Sequence, residues 1–307
     1  MASSLNSTSS TTTTTNTTTT VKVVATLTKR SLVPARWKET VRVVGMSECN
    51  EAALTLAHAF AADDYAQYLV SDDADGGDGG GGGGGGSSSG VASAAAAAAG
   101  RDLKTEEHKW RLHVDILTYT VASHCMDGLV TAVGPECDSV ALWIPPGKHL
   151  DGWWTQLRSG MWRLYFQLSA EGKKRLFDEI LPLLHDTKAA VLGDRDDEAW
   201  YLVYLGTKPN SQGRGYAARL LQDMMARADA ENRPMYLESS SLANNAYYEK
   251  FGFEVKRDIF LERGPVPVRL SIMVREPRAP GCKVAHASTN PNPMLRKFGG
   301  VGKGLVG

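Results

Sequence analysis

The chain has 307 residues with 34 basic and 34 acidic side chains, so its formal net charge is zero and no block of like charge stands out. That balance argues against nucleic acid as a partner, because such binding rests on neutralising phosphates. No apolar run is long enough to span a bilayer and the start lacks the basic and apolar segments of a secretory signal, so a cytoplasmic protein with no membrane partner is expected.

In chain order, residues 1–35 read as a disordered Ser/Thr-rich tail, since residues 2–20 are nearly all Ser, Thr and Asn. Val41 to Val44 reads as a short strand, and Ser47 as the cap of a helix carrying Ala52, Leu54, Leu56, Ala57 and Phe60. Asp63 to Leu69 reads as a further helical turn or two. Residues 71–104 run through Asp/Gly, Gly79 to Gly86, Ser, and Ala94 to Ala99, and are expected to form a flexible insertion in a surface loop. Helical spacing resumes near Thr105, with Trp110, His113, Val114, Leu117 and Val121 on one side and Gly128 as the stop.

Leu129 to Val133 and Ser139 to Ile144 flank a Gly-Pro turn and predict a hairpin ended by Pro145-Pro146-Gly147. Residues 151–185 are helical and aromatic. Most of the rings from Trp153 to Phe166 read as core, with a substrate wall as the alternative. Ala199 to Thr207 is apolar on both faces, as a central strand is. Arg219 to Ala230 is amphipathic, Met235 to Ser239 is the next strand, and strand, turn, helix and strand together make a βαβ unit with parallel neighbours. A short helix over Ala243 to Phe251 stops at Gly252, and Phe253 to Leu261 with Val266 to Val274 predicts a closing antiparallel pair. A single domain thus spans 36–275, and residues 276–307 read as a loose tail.

Between the central strand and the amphipathic helix lies Gln212-Gly213-Arg214-Gly215-Tyr216-Ala217. A glycine turn opening a helix concentrates unpaired N–H groups and is suited to an anion. It lacks the Gly-Lys-Ser/Thr ending of a nucleotide loop and the GxGxxG spacing of a dinucleotide fold. Four scattered cysteines, Cys49, Cys125, Cys137 and Cys282, form no CxxC pair; they read as reduced thiols, and no metal is expected.

Gln212-x-x-Gly215-x-Ala217, followed about thirty residues later by Asn244-Asn245-Ala246-Tyr247-Tyr248-Glu249-Lys250-Phe251-Gly252-Phe253, resembles the GNAT superfamily of acyl-CoA-dependent N-acetyltransferases. The match is strongest over residues 199–256. The resemblance implies an α/β (α+β) fold: a strongly curved mixed sheet flanked by helices, with splayed central parallel strands at 199–207 and 235–239. It implies acetyl-CoA as co-substrate, held by the N–H groups of residues 212–217 and by backbone groups that a bulge near Leu205-Gly206-Thr207 leaves free. Arg214 adds a charged contact or is simply solvated. Asn244 helps hold CoA or caps its helix. Tyr248 is the residue that would protonate the leaving thiolate, with Tyr247 packing on Phe251.

For the base, Glu238 shares a strand face with Tyr236 and Ser240. It takes the amine proton, or serves as a structural acceptor while a water chain does that work; His185 is a further titratable candidate. The reaction implied is direct transfer to a primary amine, taken to belong to a small molecule. An inactive acyl-CoA-binding module and a protein N-acetyltransferase are the alternatives. Monomer and homodimer both stay open.

Overall fold

The computed structural model describes residues 34–71 and 89–278. The expected tail before residue 34, residues 72–88 of the expected insertion, and the tail from residue 279 lie outside the described residues. A 3-10 turn at Ala35–Lys38 leads into β1 (Arg42–Val43). Ser47 is not a cap as expected: it lies in a 3-10 turn, Met46–Glu48, that runs directly into α1 (Cys49–Ala59). Ala52, Ala53, Leu56 and Ala57 recur at helical spacing and are fully buried. α2 (Asp64–Val70) is capped by Asp63, whose side chain accepts from the N–H groups of Tyr65 and Ala66.

α3 (Ser89–Asp127) starts sixteen residues before Thr105, so the second half of the expected flexible insertion is helical. The reason is composition: Ala94 to Ala99 has the highest intrinsic helix propensity of any run in the chain. β2 (Leu129–Val133) and β3 (Ser139–Ile144) form the expected antiparallel hairpin. A helical excursion follows: α4 (Trp153–Ser159), α5 (Leu164–Gln167), α6 (Ala170–Lys173), a π-helical stretch at Lys174–Ile180, and α7 (Leu181–Leu192). β4 (Trp200–Thr207), α8 (Tyr216–Ala230) and β5 (Met235–Ser239) are the βαβ unit, and α9 (Leu242–Glu249), β6 (Glu254–Leu261) and β7 (Val268–Arg275) close the chain.

The seven strands form one mixed sheet in the order β1-β2-β3-β4-β5-β7-β6. Among these strands only β4 and β5 are parallel, and they pair for three steps, from Trp200 opposite Met235 to Leu202 opposite Leu237. Beyond that point β4 stays on β3 while β5 stays on β7, so the two central strands part. α8 covers one face through Leu220, Leu221 and Met224, against Trp143, Trp200, Leu202 and Leu237. On the other face, α1 and α3 cover β2 and β3, while α2 and the excursion helices cover β5, β6 and β7. Arg175, 1 % exposed, ties the excursion to α2 by donating to the carbonyls of Tyr68 (2.9 Å) and Ser71 (2.7 Å).

Further expectations are refined or corrected by the packing. The irregularity in β4 lies just before residues 205–207, which themselves pair regularly with β3: Leu142 faces Tyr204 while Trp143 faces Leu202, so the extra residue is Val203. Gly206 is small for a different reason. A Cβ there would lie 2.9 Å from both the Ala59 Cβ and Leu56 Cδ2, so α1 needs a glycine to approach the strand. The aromatic segment is not core either: Trp153, Trp154, Trp162, Tyr165 and Phe166 are exposed, and among its large residues only Leu164 is fully buried. In addition, the chain just after Arg275 is tied rather than loose, since Glu276 accepts a two-pronged bond from Arg195 and the Arg278 N–H donates to Asp229.

Candidate functional site

The parting of β4 and β5 opens a cleft on the side where the loop 212–217 lies. Leu205, Gly206, Thr207, Gln212, Gly213, Arg214, Gly215, Tyr216, Ala217, Asn244 and Tyr248 all line this outer cleft, whose volume is about 600 Å³. Gly213 and Gly215 have φ of 75° and 74°, the left-handed region that L-side chains avoid, and nothing lies within 4 Å of where their Cβ atoms would be. No side chain caps α8, so its first-turn N–H groups stay available to an anion in the cleft. This is the donor set and the open space that a pyrophosphate needs. Arg214 is exposed and donates to the Asn210 carbonyl at 3.2 Å. Asn244 does not cap its helix: the Ser241 hydroxyl does, accepting from the Asn244 N–H at 3.2 Å, which leaves the exposed Asn244 side chain on the cleft.

Phe60, Asp63, Leu205, Asn244 and Tyr248 also line a narrower inner pocket of about 100 Å³, where Glu238 sits. Glu238 and Tyr236 lie on the face of β5 that α2 and α7 cover, as strand alternation predicts. The Glu238 carboxyl is pushed up to about 7 by burial, against the opposing pull of the Tyr201 and Tyr236 hydroxyls and the Lys188 ammonium. Its Oε1 and the Tyr236 hydroxyl are buried without completing a hydrogen bond of good geometry. Burial also holds the Tyr248 hydroxyl well above the ordinary tyrosine value, with Tyr247 adding to the effect, so Tyr248 keeps its proton at neutral pH. Tyr247 packs on Phe251 at 5.1 Å between centroids, as its spacing predicts, and lines the outer cleft beside Tyr248.

Several lining residues carry no motif and escaped the sequence reading. Asp63 is held at the junction of the two cavities by its cap bonds and by the Ser240 hydroxyl, which donates to Asp63 Oδ2 at 2.6 Å. Tyr65, Tyr201 and Tyr204 wall the inner pocket, and burial raises all three hydroxyls. The signal for Asp63 was its place before a helical run; the tyrosines gave none. A third cavity of about 300 Å³ shares Leu184 and Tyr201 with the inner pocket and also takes in Leu181, His185 and Lys188. His185 thus lines the third cavity and not the inner pocket. Elsewhere, Glu48, Glu51 and Cys137 offer ligand atoms within 4.8 Å of one another. The Arg42 guanidinium fills the cation's role there, at 2.8 Å from Glu48 and 3.2 Å from the Cys137 sulfur.

A family profile for the acetyltransferase (GNAT) domain matches residues 184–255. An uncharacterised N-acetyltransferase of Schizosaccharomyces pombe is 43% identical over 192 residues, covering 62% of this chain and 76% of that protein. The chain belongs to the GNAT acetyltransferases, a family of acetyl-CoA-dependent N-acyltransferases. Solved structures with a similar outline include a Corynebacterium glutamicum protein described as histone acetyltransferase HPA2 and related acetyltransferase (18% identity, 79% of this chain and 98% of that one, TM-score 0.42). Another is the Drosophila melanogaster polyamine N-acetyltransferase, which forms N-acetylagmatine (12% identity, 77% and 99%, TM-score 0.43). No helix among the described residues is long and apolar enough to cross a membrane.

Proposed function

We propose that this protein transfers the acetyl group of acetyl-CoA directly to the primary amine of a small molecule, with Glu238 as base and Tyr248 as acid. The observation that carries the reading is the buried Glu238 carboxyl, in a pocket that shares Tyr248 and Asn244 with the cleft of the glycine loop. In this reading the N–H groups of residues 212–217 hold the CoA pyrophosphate, and Leu205, Gly206, Thr207 and Asn244 border the pantetheine arm.

The amine arrives as an ammonium and must lose a proton before it attacks. A carboxylate with a pKa of about 7 accepts that proton at physiological pH. The new N–C bond forms as the C–S bond breaks, and the departing thiolate takes the Tyr248 proton. Holding amine and thioester together supplies most of the acceleration. The inner pocket is narrow, about 100 Å³, so the acceptor reaches it with the amine end first. We place the transferase in one domain over residues 36–275, without a metal in the reaction. The test is acetyl-CoA turnover with a panel of primary amines, read as released thiol. Binding of CoA without turnover on any amine, in wild type and Tyr248→Phe alike, would leave only a binding module.

A further inference from the structure

Five residues line both the outer cleft and the inner pocket: Phe60, Asp63, Leu205, Asn244 and Tyr248. Asp63 is the one among them with a carboxyl group. Apart from tyrosines, the ionisable side chains lining the inner pocket are Asp63 and Glu238; no lysine, arginine or histidine among the described residues lines it. Both carboxyls are within electrostatic reach of the Tyr65 and Tyr204 hydroxyls. The wall around them is rich in rings, from Phe60, Tyr65, Tyr201, Tyr204 and Tyr248. Carboxylates and aromatic faces together suit an organic cation.

Asp63 Oδ1 accepts from the N–H groups of Tyr65 (3.0 Å) and Ala66 (3.3 Å), and Oδ2 accepts from the Ser240 hydroxyl at 2.6 Å. A carboxylate accepts at about four positions, so Oδ2 has capacity for one further donor. We propose, building on the amine acetyltransferase reading, that Asp63 receives the acceptor's ammonium at the junction of the two cavities, and that acceptors bearing a carboxylate on the amine carbon are rejected. Glu238, which lines the inner pocket and not the outer cleft, then takes the proton. A carboxylate on the acceptor would meet two like charges. Lys188, which acts on Glu238 from outside this lining, offers it little, because its ammonium is already bonded to Asp196.

The experiment is steady-state kinetics of wild type and Asp63→Asn with pentylamine, norleucine and norleucinamide. Asparagine caps a helix about as well as aspartate, so this change removes the charge and keeps the start of α2. KM for pentylamine is expected to rise about tenfold or more, with KM for acetyl-CoA and the unfolding midpoint unchanged. A purely structural Asp63 would instead move the midpoint and both KM values together. Norleucinamide matches norleucine in shape and lacks its carboxylate. Wild type should therefore favour it in kcat/KM by about tenfold or more, and Asp63→Asn should narrow that ratio. Asp63→Ser, also a good cap, serves if the first variant unfolds.

An unchanged KM for pentylamine in Asp63→Asn overturns the inference while leaving the transferase reading intact. So does a wild type that uses, or rejects, norleucine and norleucinamide alike. If wild type acetylates no amine, the transferase reading fails. Stabilisation of the protein against heat by pentylamine, lost in Asp63→Asn, would then still support Asp63 as an ammonium site; no stabilisation overturns it.

Discussion

Val203 and Tyr204 are consecutive residues of β4, yet both side chains pack on the α1 and α3 side of the sheet. The bulge at Val203 resets the alternation, so Tyr201 and Tyr204 line the same pocket although three positions separate them. Regular pairing would have turned Tyr204 toward α8. The pocket around Glu238 therefore exists because one residue of the central strand has no partner on β3.

Tyr248→Phe keeps the ring that packs on Phe253 at 5.8 Å between centroids and removes only the hydroxyl. The expected outcome is a fall in kcat of about a hundredfold or more, with KM for acetyl-CoA nearly unchanged. Steady-state kinetics on a reactive amine checks it. An unchanged kcat removes Tyr248 from the chemistry.

Glu238→Gln tests the base through two readouts. In wild type, kcat/KM should rise with pH through an apparent pKa near 7, and the variant should lose that limb along with most of the rate. The stability effect has the opposite sign. A glutamate whose folded pKa is raised binds its proton more tightly when folded, so wild type loses stability as pH rises from the ordinary glutamate value to about 7. The substituted amide does not ionise and carries no such penalty. The variant should be more stable than wild type at pH 8, on the order of 1–3 kcal/mol, and close to it at pH 4, as urea unfolding at the two pH values would show.

Two of the cleft's glycines, Gly215 and Gly206, should fail differently. Gly215→Ala meets no neighbouring atom but forces a side chain into φ of 74°, which costs on the order of 1 kcal/mol. It is expected to raise KM for acetyl-CoA several-fold, because the first turn of α8 must shift. Gly206→Ala instead pushes α1 off the strand, and overpacking of this kind costs about 1–3 kcal/mol. Its main signature is a lower unfolding midpoint.

The closing strand is pinned by Arg275, 1% exposed, whose guanidinium donates to both Asp229 oxygens at 2.8 Å and to the Phe251 carbonyl at 3.1 Å. Burial works to raise the Asp229 carboxyl, but the bonds from Arg275 and the Arg278 N–H outweigh it and hold its pKa below the ordinary value. A depressed carboxylate contributes its stability above the ordinary aspartate pKa and loses it as pH falls through the folded one. Asp229→Ala should cost about 3 kcal/mol at pH 7, since it strands a buried charge. The gap to wild type should narrow below pH 4 in denaturant melts.

Local chemistry is what the sequence could determine here. Strand periods placed β2 to β7, the glycines at 213 and 215 marked the loop, and the spacing from Gln212 to Phe253 identified the family. The strand periods and the loop glycines lie within a few residues of the structure they specify. Glu238 was legible as a candidate because strand alternation alone puts it beside Tyr236. The location of the bulge, the partners of Gly206 and the exposure of Trp153 to Phe166 were not legible. Each depends on which distant segment packs against the residue: α1 over Gly206, β3 opposite Val203, and no apolar layer among the described residues over the rings. An aromatic run reads as core until the fold shows whether a second layer covers it. Tertiary structure alone decided that these rings lie outside, and that the parting of β4 and β5 places Glu238 in a pocket that shares Tyr248 and Asn244 with the glycine-loop cleft.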